Sequence, residues 1–237
     1  MGRQFINPHL KAPNVLEIDF PAEVTDSLAP LVEDLRTVKA TRGPVTIGHL
    51  NLDVTCPADW QSDIRWISQG DIAAFRFFED LFHRSGIAER AAQYIEHDRE
   101  IRLYSGFFVT RTRCAEALLH HDWIDARNDA FNMMTPISAN CGEMGLVYRD
   151  IHGETGQFTY RRGKALLLGD HFLHSTAPGE TPEPTVLLSF VFGTDRMDRW
   201  DTLSRIASRQ GRCHCRPDGT FVRQTDNVAA SPGTMAT

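Results

Sequence analysis

The sequence predicts a mainly β protein with flanking helices, built around a double-sheet barrel of the jelly-roll type. Between about residues 101 and 194, short apolar and β-branched runs alternate with turn residues, which is typical of antiparallel strands. Before residue 100, apolar side chains recur with helical spacing instead. Short strands at near-regular spacing indicate a jelly roll, and we expect them at 101–112, 115–123, 130–137, 145–149, 157–162, 164–169, 171–176 and 185–192.

The N-terminal hundred residues mix strand and helix signals. Val15–Phe20 is predicted as a strand, and Pro21 opens a predicted helix that runs toward Lys39. A second predicted helix begins near Asp71, and its pattern resumes over Ile87–Ile95. These helices are expected to pack on the outside of a sheet.

The same patterns suggest three parts of the chain. We predict an N-terminal annex of helices and a strand over 1–100, packed on the barrel, and a jelly-roll core over 101–216. The remaining segment, 217–237, is polar and rich in Ala, Ser, Gly and Thr, so we expect it to be disordered.

Composition and charge argue against several classes of function. The 237 residues carry a net charge of -6, and the Lys and Arg residues are scattered, so nucleic acid is not an expected partner. No apolar stretch has the length of a membrane span or a signal peptide, so we expect a cytoplasmic protein with no membrane partner. The five cysteines are an odd, dispersed set that fits free thiols. Cys213-His214-Cys215 lacks the other half of a zinc site and is interpreted as an exposed loop.

Two histidines and an aspartate form the candidate catalytic and metal-binding set. His120 and Asp122 close a predicted strand, and because residues i and i+2 share one face of a strand, both side chains can reach one point. His121 must face the other way. His174 precedes a turn on a later strand. Two imidazoles and one carboxylate leave coordination positions open, which suits non-haem Fe(II), although Mn or Zn could use the same ligands.

Three segments together resemble a known enzyme family. His120-His121-Asp122, Gly169-Asp170 with His174-Ser175-Thr176, and Leu188 to Gly193 are similar to the double-stranded β-helix, or cupin-like, core of the Fe(II)- and 2-oxoglutarate-dependent dioxygenases. The resemblance implies Fe(II) as cofactor, with 2-oxoglutarate and O2 as co-substrates. It also implies hydroxylation, or a related oxidation, of a small-molecule substrate such as an amino acid or a biosynthetic intermediate.

The family usually holds the far carboxylate of 2-oxoglutarate with a basic residue on the last barrel strand, but the corresponding segment here, 184–189, has none. A buried carboxylate needs a paired cation. Arg127 is the favoured substitute, and Ser189 and Thr135 are the other expected co-substrate residues. The alternatives to Arg127 are Arg161, Arg162 and Lys164.

Three further residues are assigned structural or surface roles, each with a functional alternative. Arg111 and Arg113 are interpreted as surface charge, although either could bind an anionic substrate. Asp170 is interpreted as fixing a turn, although it could orient an imidazole as a neighbouring carboxylate.

Two rival functions stay open at this point. In the first, the same barrel holds a metal that the substrate itself chelates, without 2-oxoglutarate. In the second, the chain is a non-catalytic jelly-roll binding protein whose histidines are packed in the core.

Overall fold

The computed structural model describes residues 6–7, 12–56, 63–207 and 211–224. The strands are β1 Ile6–Asn7, β2 Ala12–Pro13, β3 Val15–Asp19, β4 Gly43–Ile47, β5 Leu50–Thr55, β6 Arg65–Gln69, β7 Arg102–Cys114, β8 His120–His121, β9 Ala130–Pro136, β10 Leu146–Arg149, β11 Thr155–Phe158, β12 Lys164–Leu168, β13 Leu173–Thr176, β14 Gly179–Gly193, β15 Cys213–Cys215 and β16 Phe221–Arg223. The helices are α1 Ala22–Ser27, α2 Ala29–Thr37, α3 Ile72–Arg84, α4 Ile87–Ala91 and α5 Trp200–Ala207, with 3-10 turns at Cys141–Glu143 and Met197–Arg199.

Two antiparallel sheets face each other and form the barrel. The major sheet has the strand order β3-β12-β9-β14-β7-β6-β5-β4, and the minor sheet has the order β11-β10-β13-β8. Phe107 and Leu187 of the major sheet pack into one cluster with Tyr148 and Phe172 from the minor sheet side. This arrangement confirms the predicted mainly β class and the jelly-roll barrel.

The central strands of the major sheet are buried on both faces, because side chains alternate between two cores. Phe107 and Leu187 point between the sheets, whereas Phe108 and Leu188 belong to a second core on the outer face. The middle of each strand, Phe107–Val109 in β7 and Val186–Leu188 in β14, therefore reads as a continuous apolar run, which hides the alternation.

Helix α3 covers the outer face of the major sheet, as its apolar spacing predicts. Asp71 caps its N-terminus by accepting the Ala74 N–H at 2.8 Å. Phe78 and Phe82 then pack against the sheet, and the Phe78 ring lies 5.2 Å from that of Phe108, centroid to centroid.

The structure corrects two predicted elements. The predicted helix from Pro21 to Lys39 is two helices that meet at Leu28, where Pro30 in the first turn of α2 lacks the N–H that a continuous helix requires. The predicted strand 115–123 is mostly irregular, and only His120–His121 pairs as β8.

The structure also changes the predicted division of the chain. Residues before 100 are not a separate annex, because β3, β4, β5 and β6 are strands of the major sheet itself. The predicted disordered tail begins too early, since Phe221–Arg223 pairs with Cys213–Cys215. Residues 225–237 lie outside the described part of the chain.

Cys213-His214-Cys215 is a buried strand and not an exposed loop. His214 is 6% exposed and packs against the Trp200 ring of α5, with centroids 5.6 Å apart. Burial lowers the pKa of His214 from 6.5 to about 4. All five cysteines are free thiols, as expected. Among the described residues, no helix combines the length and the apolar character that a membrane crossing requires.

We predict that Gly106→Ala destabilises the fold. The added Cβ would overlap the Phe78 ring, and such overpacking costs about 1–3 kcal/mol. Urea unfolding of the variant measures the loss. Gly142→Ala is the matched control, because the nearest atom to its added Cβ is 3.9 Å away. Equal stability of the two variants would contradict the close packing of α3 on β7.

We also predict a pH-dependent contribution from His214. The unfolded chain takes up a proton near pH 6.5 but the folded protein only near pH 4, so stability falls as the pH drops between these values, by up to about 3 kcal/mol. His214→Phe should remove this part of the pH dependence in urea unfolding series. His152→Phe, at an exposed turn, is the control and should keep it. Identical pH profiles for His214→Phe and the parent protein would contradict the burial.

Candidate metal centre

The register between β8 and β13 brings two distant histidines together. His120 lies directly opposite His174 in this antiparallel pair, and Asp122 follows β8 by one residue. One ligand atom of each of these three side chains lies within 4.8 Å of the others. Among the described residues this is the one group of three or more potential ligands at such spacing.

The three side chains point their ligand atoms at a common space. The Nε2 atom of His120 lies 3.6 Å from Oδ1 of Asp122, and the Nε2 atom of His174 lies 3.6 Å from Oδ2. These separations are too long for strong hydrogen bonds. The three ligand atoms are therefore not closed off by strong hydrogen bonds to one another, and they stay available to a shared metal ion.

Backbone carbonyls orient both imidazoles. Nδ1 of His120 lies 2.7 Å from the Leu118 carbonyl oxygen, and Nδ1 of His174 lies 2.9 Å from that of Phe172. A carbonyl oxygen only accepts, so each Nδ1 carries the proton and donates it. Each Nε2 therefore presents its lone pair to the common space, as a metal ligand must.

The electrostatics of the cluster favour an ionised carboxylate. Burial opposes the charge on Asp122, but the imidazoles of His174 and His120 and the Asn132 amide hold the pKa of Asp122 far below its usual range. Burial lowers the pKa of His174 to about 4, so this ring is neutral at physiological pH. Burial also disfavours charge on His120, but Asp122 outweighs it and raises the pKa of His120.

Asn132 of β9 supports the carboxylate from the major sheet. Its Nδ2 donates to Oδ2 of Asp122 at 2.6 Å, and its side chain is fully buried. The Oδ1 atom of Asn132 has no hydrogen-bond partner among the described residues. Asn132 lies in the predicted strand 130–137, and nothing in the sequence indicated that it pairs with Asp122.

A cavity between the two sheets holds the cluster and one arginine. Arg111 of β7 lines this cavity with His120, Asp122 and His174. Arg111 is 8% exposed, its buried Nε has no hydrogen-bond partner, and no described residue forms a salt bridge with its guanidinium. Burial lowers the pKa of Arg111, yet a guanidinium stays charged. A buried cation without a paired anion is costly, so this cavity is suited to an anionic group.

The remaining walls are largely apolar. Tyr160 lines the cavity, and burial raises its pKa to about 12, so its hydroxyl stays protonated. Thr176 and Thr185 add hydroxyl groups. The large apolar side chains of the wall are Trp66, Phe107, Met134, Met144, Leu146 and Leu187.

The structure does not bring the expected co-substrate residues into this cavity. Arg127 is exposed on the loop after Asp122. Thr135 lies on the opposite face of β9 from Met134 and donates to the Lys164 carbonyl at 2.9 Å. Ser189 donates to the Met133 carbonyl at 2.7 Å within the sheet. None of these three is among the described residues that line the cavity.

The alternative cations are engaged on the surface. Arg161 pairs with Glu17, Arg162 with Asp26 and Lys164 with Asp19. The interpretation of Arg111 as surface charge is wrong, and alternation along β7 was the available signal: Phe107, Val109 and Arg111 share one face, and all three line the cavity.

No protein-family model and no curated protein matches the sequence. Solved structures with the same fold do match. The chain is similar to SnoN, a non-haem alpha ketoglutarate dependent epimerase from nogalamycin biosynthesis, with a TM-score of 0.52, 14% identity, and coverage of 94% of this chain and 87% of SnoN. The chain is also similar to SnoK, a non-haem alpha ketoglutarate dependent carbocyclase from nogalamycin biosynthesis. The TM-score is 0.52 at 11% identity, over 80% of this chain and 85% of SnoK.

A third match is ThoJ, a non-haem monooxygenase solved as a nickel complex. Its TM-score is 0.52 at 13% identity, over 79% of this chain and 76% of ThoJ. At such identities the similarity establishes the fold: the chain has the double-stranded β-helix architecture found in these oxygenases.

Proposed function

We propose that this chain, with the double-stranded β-helix fold described above, is a non-haem Fe(II)- and 2-oxoglutarate-dependent oxygenase that oxidises a small molecule. The observation that carries the proposal is the convergence of His120, Asp122 and His174 in one cavity with an unpaired, buried Arg111. A 2-His-1-carboxylate set with open positions is the ligand set of non-haem Fe(II) oxygenases. SnoN, which shares this fold, is known as a complex with Fe3+, alpha ketoglutarate and nogalamycin RO.

The donor set fits such a metal. His120 and His174 would bind it through Nε2, because their Nδ1 atoms are committed to backbone carbonyls. Asp122 would bind through one oxygen while Asn132 holds the other. A metal bound there would, with 2-oxoglutarate and O2 as co-substrates, supply an oxidant able to attack an unactivated C–H bond, and the oxoacid would be converted to succinate and carbon dioxide.

Arg111 replaces Arg127 in our assignment of the co-substrate anchor. Its guanidinium can donate two parallel hydrogen bonds to a carboxylate, which would satisfy both charges away from water. Thr185 lies directly opposite Arg111 in the β7–β14 pair and also lines the cavity. Its hydroxyl, however, donates to the Arg111 carbonyl at 3.2 Å, so it helps to hold the anchor's backbone.

The apolar walls support a small-molecule substrate. With Arg111 assigned to the oxoacid, no other Arg or Lys side chain is present among the described residues that line the cavity. Apolar walls of this kind exclude water and hold carbon skeletons. We also keep the cytoplasm as the proposed location, because free cysteines are typical of proteins in a reducing compartment.

We predict that the metal-free protein binds one Fe(II) or Co(II) per chain. Asp122→Ala and His174→Ala should each weaken this binding by at least about 100-fold, since each removes a ligand, while the far-UV circular dichroism stays unchanged. Anaerobic calorimetric titration measures both constants. His121→Ala is the matched control: His121 is the neighbour of His120 but packs against the His171 ring, so affinity should be retained. Absence of stoichiometric uptake by the parent protein would rule out the metal site.

We predict that Arg111→Leu raises the KM for 2-oxoglutarate by at least about 30-fold, equal to about 2 kcal/mol, because it removes the partner of a buried carboxylate. Succinate release under oxygen measures the KM, and Fe(II) binding should be unchanged. Arg127→Leu is the control and should leave the KM unaltered. Turnover without succinate release would instead favour an enzyme whose substrate chelates the metal, and a larger effect of Arg127→Leu would reverse our assignment of the anchor.

A further inference from the structure

A buried carboxylate joins the two segments that carry the candidate ligands. Asp170 is 4% exposed and lies four residues before His174. Its Oδ1 accepts the Ala126 N–H at 3.0 Å and its Oδ2 accepts the Asn128 N–H at 3.2 Å. Both amides belong to the loop that begins directly after Asp122. One side chain from the His174 segment thus holds the Asp122 segment at two points.

The loop that Asp170 holds has an unfavourable backbone. Asp125, Arg127 and Asn128 have φ angles of 64°, 55° and 60°, a left-handed region that residues with a Cβ seldom adopt. Such conformations persist when surrounding interactions over-determine them. The hydrogen bonds to Asp170 provide that constraint, because they fix the amides on both sides of Arg127.

Backbone contacts reinforce the same junction. The His171 N–H donates to the Trp123 carbonyl at 3.0 Å, and Trp123 forms an isolated parallel β-bridge with Asp170. Trp123 is 1% exposed. From the other side, Nδ2 of Asn14 donates to the Asp170 carbonyl at 2.6 Å. Asp170 is therefore bonded to Asn14, the residue before β3, while its carboxylate holds the loop.

We propose that Asp170 is a positioning residue for the metal centre: its carboxylate fixes the loop 123–128 and thereby keeps Asp122 at ligand distance from His174. The inference rests on the proposed function, because positioning has a purpose only if the cluster binds an ion. Asp170 does not orient a ligand imidazole, since Nδ1 of His120 and Nδ1 of His174 donate to the Leu118 and Phe172 carbonyls. Asp170 instead positions Asp122 through the backbone of the loop 123–128.

The test compares Asp170→Asn with a matched control, Asp195→Asn. An amide offers one acceptor oxygen where the carboxylate offers two, so the substitution leaves one loop N–H facing an NH2 group. Asp195 performs the same task elsewhere: its carboxylate accepts the N–H groups of Asp98, Arg99 and Glu100 at 2.8, 2.8 and 3.2 Å. The control therefore loses a comparable loop constraint away from the ligands.

Three measurements are made on both variants and the parent: Co(II) affinity by calorimetry, urea unfolding, and amide hydrogen exchange of the metal-free protein. We expect Asp170→Asn to weaken Co(II) binding by at least about tenfold and to speed exchange at Ala126 and Asn128. Asp195→Asn should lose similar stability in urea yet keep the parent's Co(II) affinity.

Equal Co(II) affinity of Asp170→Asn and the parent, or equal losses in the two variants, would overturn the positioning role. Should Asp170→Asn fail to fold, exchange in the parent protein decides: fast, unprotected Ala126 and Asn128 amides would overturn the inference. If the parent protein takes up no Co(II), the proposed metal site itself is refuted, and with it the positioning role. Slow exchange at the Ala126 and Asn128 amides would then show that the loop constraint is purely structural.

Discussion

The register of one two-residue strand pair is the constraint on which the rest of the site depends. β8 contributes only His120 and His121, yet its pairing with β13 puts His120 directly opposite His174. Because side chains alternate across a strand, a slip of one residue would replace His120 by His121 and turn the ligand outward. The short length of β8 makes this register vulnerable, so neighbouring contacts have to secure it. The Trp123–Asp170 bridge and the loop bonded to Asp170 lie directly beside it.

The cavity holds two opposite charges at separate points, and each of them needs a partner. Asp122 stays ionised at one point because two imidazoles and an amide surround it. Arg111 is buried at another point and no described anion pairs with it. Both lie in a cavity with largely apolar walls, where charge interactions are stronger than in water. A cavity of this kind is suited to two charged species, a metal cation beside Asp122 and an anionic group beside Arg111.

The major sheet separates the chemistry from the stabilising core. Its inner face lines the cavity, while its outer face packs against α3 through aromatic rings such as Phe78 and Phe82. Polar side chains and a buried cation on the inner face cost stability. The helix-covered face carries a continuous apolar core that can offset this cost. Strands β3, β4, β5 and β6, contributed by residues before 100, belong to the major sheet and extend that face.

The sequence by itself determined what depends on short-range spacing. The two-residue spacing of His120 and Asp122, the apolar period of α3 and the turn residues between strands all act within a few positions, so they predicted this pair of ligands, the helix and the mainly β class. Only the tertiary structure decided which cation shares the cavity. Alternation along β7 puts Arg111 on the same face as Phe107 and Val109, but only the packing of the sheets decides that this face lines the cavity and the other face packs under the helices. Arg127 was favoured because it is near Asp122 in sequence, but the left-handed loop after Asp122 leaves it exposed.

Contacts between residues far apart in the chain, such as Asn132 with Asp122 and Asp170 with Ala126, come from the packing of the sheets and loops, which local spacing does not encode.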